Sequence, residues 1–517
     1  MPVCGSGIKP GLPFGASLQC VEGEEAGEAP SCGPPDVVGP TSGGIMASMF
    51  WVPTNPDVEP KMPGYDYNAS WFCKSNCPPG WPGWRWDQAR AASLGRAYNY
   101  PHQTSVYLAM YLVAANYDGL HTSQPARWYL TRAYKSIVAM YYQASWYVHQ
   151  GLMDGTNFRT ILLALKDEGM AAEAAVVEDI MRNRTLFGVE NQCRYFVGDG
   201  HHPMGDRGPT FPGCHWYLEA NRTTPWVAQT GLPGAGSEFA WDTTGQEEAY
   251  IWGAWFANVS HAAAQLASSA LNQVLAYTPL VPNWAWHGSA YGMGDFSNNG
   301  FYRFDGGHER VLQHYRSGLN SIPSTEAFLA NPSDLYLLRL AAGSIGGVLA
   351  NIDESGANAM AFHADPANLF FDPASGDWGL ALYGHTHNTA SFLVHHADFG
   401  WLCYFCDVAH SADRLALSPR DSYHRRVFIA PLGLMIQSDG GTLQEVVCTL
   451  GASGAIVGIQ VVYAPIGVQP LSNFRLRLAA PSGGHVFGLA GHFVKSRGSW
   501  QISPASASGP TALNVTW

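Results

Sequence analysis

The hydrophobic period of this chain changes once, near Gly356, and that change limits the fold more than any other feature. From about Pro101, apolar residues recur at three- and four-residue spacing among good helix formers, with Gly, Pro and Asn at the breaks. Helices are expected at 102–117, 124–149, 156–168, 170–184, 237–257, 259–275 and 332–351, with shorter ones near 308–318 and 323–330. Pro101 suits a helical first turn and Gly119 a C-terminal stop. After Gly356 the text becomes short β-branched or aromatic runs: Ala359–His363, Trp378–Tyr383, Ser391–His395, Val427–Ile436, Ala455–Tyr463, Phe474–Leu478 and Ala512–Trp517. The expected fold class is α+β, with serial helical hairpins followed by an antiparallel β-sandwich.

At 517 residues the chain exceeds the roughly 250–300 that one core organises. The expected division is a Gly/Pro-rich flexible leader at 1–45, a helical catalytic domain with an irregular entry segment at 46–355, and the sandwich at 356–517. Two long loop regions, 185–236 and 276–307, interrupt the helices with His, Asp, Asn, Gly and Trp, which favours a loop-lined mouth over a regular solenoid.

Charged residues make up 13% of the chain and aromatic residues another 13%, with 18 tryptophans set beside Asp, Glu, Asn and Gly. Such surfaces suit a poly- or oligosaccharide, whose ring faces stack on indole while its hydroxyls take side-chain hydrogen bonds. A net charge of −12 without a Lys/Arg run argues against nucleic acid, and no apolar stretch of membrane-spanning length argues against a membrane partner. Phosphate-binding, dinucleotide, zincin and nucleophile-elbow motifs are absent from the sequence, and no cofactor is expected.

Ten cysteines, including Cys73-x3-Cys77 and Cys403-x2-Cys406, fit disulfides of an oxidising compartment. Glycosylation patterns at Asn68, Asn183, Asn221, Asn258 and Asn514 agree with a secreted protein, although Met1–Gly5 does not open like a signal peptide. His385 and His387, placed in a strand-like run, would share one face at metal-ligand spacing; two ligands do not make a site, and no metal is expected.

The densest chemistry lies between Gly236 and Trp252. Ser237 is a natural N-cap, so Glu238, Asp242, Glu247 and Glu248 fall in the first turns of a helix beside Trp241, without a Lys or Arg to balance them. Carboxyls crowded in this way acquire raised and unequal proton affinities, as glycoside hydrolysis requires: one acid for the leaving oxygen and one ionised base for water. Dipole-stabilising acids above core tryptophans are the structural alternative. Asn99, Tyr100 and His102 at a helix start form a second group, whose chemistry also suits β-elimination at a uronate. A third is the 283–309 loop, where Trp286, His287, Tyr291 and Arg303 form a substrate platform and Asp305 is an alternative base.

The runs Tyr98–His102, Trp241–Glu248, Gly384–Asn388 and Asp398–Cys403 resemble those of a microbial and fungal family that carries a domain of unknown function. That family is similar in fold to six-hairpin glycosidases and toroid polysaccharide lyases. The resemblance, over residues 85–410, implies an (α/α) toroid followed by an antiparallel β-domain and a carbohydrate substrate; it supplies no catalytic residues. About nine helices stand where six hairpins need twelve, so either the toroid is incomplete or further helices lie within the long loops. The function expected is a glycoside hydrolase with Glu247 or Glu248 as general acid and Asp242 or Glu238 positioning water. A polysaccharide lyase using Tyr100, His102, Asn99 and Arg303, or a non-catalytic glycan-binding relative, is the alternative.

Overall fold

The computed structural model describes residues 43–47, 92–116, 122–144, 148, 152–190, 246–277, 312–352, 361–362, 377–438, 441–464, 476–479, 493–496, 499–502 and 511–516. Helices α1 (Asn99–Asn116) and α2 (Ala126–Gln143) pack together, as do α3 (Asn157–Asp167) with α4 (Ala171–Glu190), α5 (Gln246–Phe256) with α6 (His261–Tyr277), and α7 (His314–Ala330) with α8 (Leu335–Gly347). The links within the last three pairs are too short for anything but a reversal of direction. The expected helices at 308–318 and 323–330 are one helix, α7, which continues through Pro323. Among the described residues, no helix is long and apolar enough to cross a membrane.

Residues 377–388 correct an expectation. Trp378–Tyr383 is not a strand but part of α9 (Asp377–Asn388), which also contains His385 and His387. Packing decides the matter: a Cβ on Gly384 would stand 2.2 Å from the Gly318 backbone, and one on Gly318 would stand 2.6 Å from Ala381 O. The two helices therefore meet backbone to backbone, an approach only glycine permits. Of the Ala359–His363 strand, Ala361–Phe362 forms β2, paired with β1 (Leu312–Gln313). The expected Val427–Ile436 strand is two strands, β7 (Arg426–Ile429) and β8 (Leu434–Ser438), reversed at Gly433 in the left-handed region (φ 57°).

Two larger sheets follow. One has the order β12-β13-β11-β8-β7-β3-β4 and the other β14-β10-β9-β6-β5. Their members are β3 (Ser391–His396), β4 (Gly400–Tyr404), β5 (Cys406–His410), β6 (Arg414–Pro419), β9 (Thr442–Leu450), β10 (Ile456–Ala464), β11 (Leu476–Ala479), β12 (Phe493–Ser496), β13 (Ser499–Ile502) and β14 (Thr511–Thr516), with β7 and β8. Every recorded pairing in them is antiparallel except β3 with β7. The chain crosses from the first sheet to the second between β4 and β5, where a Cys403–Cys406 disulfide spans the corner with Cα atoms 5.4 Å apart.

Strand alternation makes the seven-stranded sheet a middle layer. Leu393, Val427 and Ile429 face a core shared with Leu415, Val446 and Ile459 of the five-stranded sheet. Phe392, Val394 and Phe428 face the helices instead. Phe328 of α7 meets Phe392 at 6.0 Å and Phe428 at 5.7 Å, ring edges against faces. The architecture is therefore α+β, with the first sheet docked on α7 and the buried ends of α3, α5, α7 and α9 carrying the polar residues described next.

Candidate active site

The turn before α3, Leu152–Thr156, collects chemistry from three other helices. Asp154 at its centre has φ 67°, a conformation that costs most residues but that Asp tolerates. Its Oδ2 accepts the Ser105 hydroxyl of α1, and His102 Nδ1, on a side chain 42% exposed, lies 3.9 Å away. Asn157, fully buried, holds α1 to this turn by donating to Pro101 O and Ser105 Oγ, both at 2.8 Å. Burial raises the Asp154 carboxyl, against the pull of His102, Ser105 and Asn157. Its Oδ1 is buried without a hydrogen bond of normal geometry.

Both first-turn acids of α5 point inward at this turn. Glu247 Oε1 accepts the Gly155 N–H at 3.0 Å, while Oε2 is buried without a hydrogen bond of normal geometry. Burial, then the charges of Asp154 and Glu248, push Glu247 well above the usual carboxylate range; Thr156 and the Gly155 N–H offset this only in part. Glu248 accepts the Leu152 N–H at 2.7 Å and both terminal nitrogens of Arg184, whose Nε donates to Val148 O at 2.6 Å. Neither side chain of that ion pair is exposed at all.

Thr156 stands at the start of α3 without capping it; its hydroxyl meets the Tyr383 hydroxyl of α9 at 2.5 Å. Beyond Tyr383 lies an ion pair between Arg159 of α3 and Glu326 of α7, at 2.5 Å, with His387 Nε2 3.8 Å from the same carboxylate oxygen. Arg159, Glu326 and His387 keep 21%, 25% and 19% of their side-chain surface accessible, so this end of the cluster reaches solvent while Glu247 does not. Burial alone would raise Glu326, but Arg159 and His387 outweigh it and hold the carboxyl well below its usual range. Burial, Asp154 and Glu247 drive the Tyr383 phenol far upward. Burial lowers His387, against Glu326. Two carboxyls, Asp154 and Glu247, are thus driven upward and a third, Glu326, downward, within one cluster that the Tyr383 phenol joins through Thr156 and His387.

The expected site residues fall in different places. Glu247 and His102 converge on Asp154. Glu248 is committed to Arg184. Asn99 donates to Met46 O and Ala47 O at 2.8 and 2.6 Å and accepts from Arg96, which ties the 43–47 segment to α1. Tyr100 is fully buried and donates to Leu94 O at 3.0 Å. Glu238, Trp241, Asp242, Trp286, His287, Tyr291, Arg303 and Asp305 lie outside the described residues. Sequence reasoning missed Asp154, Arg159, Glu326 and Tyr383; His387 was singled out beside His385, but on a strand rather than a helix. The Asp154-Gly155 pair was a turn signal, and Tyr383 and His387 stand one helical turn apart; Glu326 carried no local signal.

No group of His, Cys, Asp and Glu among the described residues is arranged to hold a metal ion. Residues 37–195 and 218–509 match a family model whose description is "Family of unknown function (DUF5695)". No curated protein matches the chain.

Proposed function

We propose that this chain, which belongs to the DUF5695 family, is a glycoside hydrolase acting on a poly- or oligosaccharide. The observation that carries the reading is the opposite displacement of two sets of carboxyls around Tyr383: Glu247 and Asp154 upward, Glu326 downward. Carboxyls driven apart by their surroundings divide naturally into acid and base. In this reading the Asp154–Glu247 pair holds the proton, and Asp154, beside the partly exposed His102, is the member that delivers it to the glycosidic oxygen. Glu326 stays ionised and faces the developing positive charge or the attacking water. Tyr383 remains protonated and donates a hydrogen bond. The helical pairs, with polar ends gathered at one place, are the wall of an (α/α) toroid with its mouth there.

The lyase alternative uses a phenol as proton shuttle beside a cation, and Tyr383 does stand near Arg159. A phenol pushed this far upward is not available as phenolate at neutral pH, which weighs against it.

The test is a polysaccharide panel assayed for new reducing ends with Glu247→Gln, Asp154→Asn and Glu326→Gln made separately. Losses of about 10²–10⁴-fold are expected for Glu247→Gln and Glu326→Gln, the scale of general acid–base catalysis. Turnover in both that equals the unaltered protein would remove the assignment, and an ultraviolet-absorbing unsaturated product would transfer it to the lyase.

A further inference from the structure

We infer that Arg184 and Glu248 are a positioning pair that holds the Leu152–Thr156 turn, and with it Asp154, in the shape the reaction needs; Glu248 is not itself the acid. The inference rests on the reading of Asp154 and Glu247 as the proton-holding pair. Its warrant is the set of contacts around the turn. Glu248 grips the turn's first residue through the Leu152 N–H, and Glu247 grips its fourth through the Gly155 N–H. Asp154 lies between those two anchors in the left-handed conformation. Consecutive residues of one helical turn thus hold two points of one short segment, and the fixed geometry of α5 sets the distance between them. The approach leaves no slack, because a Cβ on Gly155 would lie 2.4 Å from Glu248 Cδ.

Arg184 completes the clamp from α4. Its guanidinium meets both Glu248 oxygens, its Nε holds Val148 O, and its Cζ lies 6.0 Å from the Phe158 ring centre in α3. A fully buried side chain whose two oxygens already meet a backbone N–H and a two-pronged guanidinium has no oxygen left to present to a substrate. Its remaining influence on the reaction is electrostatic: with Asp154, it is one of the two charges that raise Glu247.

The experiment compares Glu248→Gln, Arg184→Met and the double variant. Amide hydrogen exchange at Leu152 and Gly155 reads the clamp without substrate, and the pH profile of glycan hydrolysis reads its effect on Glu247. Each single variant leaves one buried partner unmatched, and exchange at both amides should rise on the order of a hundredfold. The double variant should restore most of the protection and most of the turnover, since Gln still accepts the Leu152 N–H and Met fills apolar space. With the Glu248 charge gone, the alkaline limb of the profile should move to lower pH in Glu248→Gln. Unchanged exchange in Glu248→Gln, or a double variant no better than the single ones, overturns the inference. A Glu248 that served as the acid could not be rescued by a change at Arg184. If the unaltered protein hydrolyses no glycan, the proposed function fails while the exchange measurements still decide the clamp.

Discussion

The Tyr383 hydroxyl meets Thr156 Oγ1 at 2.5 Å across a sequence separation of 227 residues. It joins the start of α3 to α9, the helix that precedes the two larger sheets. Tyr383→Phe keeps the ring beside His387, whose centre is 5.7 Å away, and removes only the hydroxyl contact. Stability to urea should fall by about 0.5–1.5 kcal/mol, the ordinary net worth of a hydrogen bond. Thr156→Val should cost a similar amount, and the double variant should cost less than the sum because both remove one interaction. Additive losses would mean that the two hydroxyls are not coupled.

Arg159 is the main reason Glu326 stays ionised, and the sign of its effect on stability is open to measurement. The folded-state affinity of Glu326 for a proton is depressed, so its contribution is present above the unfolded glutamate value of about pH 4.3 and is lost as pH falls through the lower folded value. Arg159→Met leaves burial opposed by His387 alone, which weakens the depression of the carboxyl and flattens that slope. At pH 7 the variant should lose about 2–4 kcal/mol, toward the low side for a broken buried pair because both partners keep some solvent contact. Urea titrations from pH 3 to 8 check this; parallel stability curves for the two proteins would refute it.

Period was the legible property of this sequence, and geometry between distant segments was not. The helical pairs could be read from their three- and four-residue spacing because each carries a continuous apolar stripe. α9 could not: Trp378-Gly379-Leu380-Ala381-Leu382-Tyr383 is short, aromatic and interrupted by glycine, a text that suits a strand equally well. What makes it helical is Gly384 against Gly318, a contact between residues 66 positions apart in sequence. The same holds in the site. Glu247 and His102 were visible as acid and imidazole at helix starts, but Glu326 acquires meaning only from Arg159 on another helix. Taking Trp378–Tyr383 for a strand also hid Tyr383: on a strand it and His387 would share a face but stand about 13 Å apart, whereas the helix brings them within one turn.

Glu247 should behave oppositely to Glu326. Its folded-state proton affinity is raised, first by burial and then by Asp154 and Glu248. Its contribution is therefore complete below about pH 4.3, where the unfolded glutamate is also protonated, and is lost as pH rises through the higher folded value. Glu247→Gln is a neutral near-isostere that does not titrate. Relative to the unaltered protein, it should gain stability steadily as pH rises above 4.3. The difference between the two urea midpoints, followed against pH, gives the result directly, and a difference that does not change with pH would show that Glu247 titrates normally.

Two glycine substitutions separate a functional close approach from a merely unfilled one. Gly379, exposed in α9, has nothing within 4 Å of an added Cβ. Gly379→Ala should therefore stabilise the protein by about 0.5–1 kcal/mol through helix propensity and a less flexible unfolded chain. Gly155→Ala places its methyl 2.4 Å from Glu248 Cδ, and the carboxylate cannot withdraw without leaving Arg184 or the Leu152 N–H. A loss of about 1–3 kcal/mol is expected from the overpacking. Hydrolysis should fall with it, because the displaced segment carries Asp154. If Gly155→Ala is silent in both thermal unfolding and turnover, the turn before α3 has more room than its contacts imply, and the tight approach of α5 to it loses its importance.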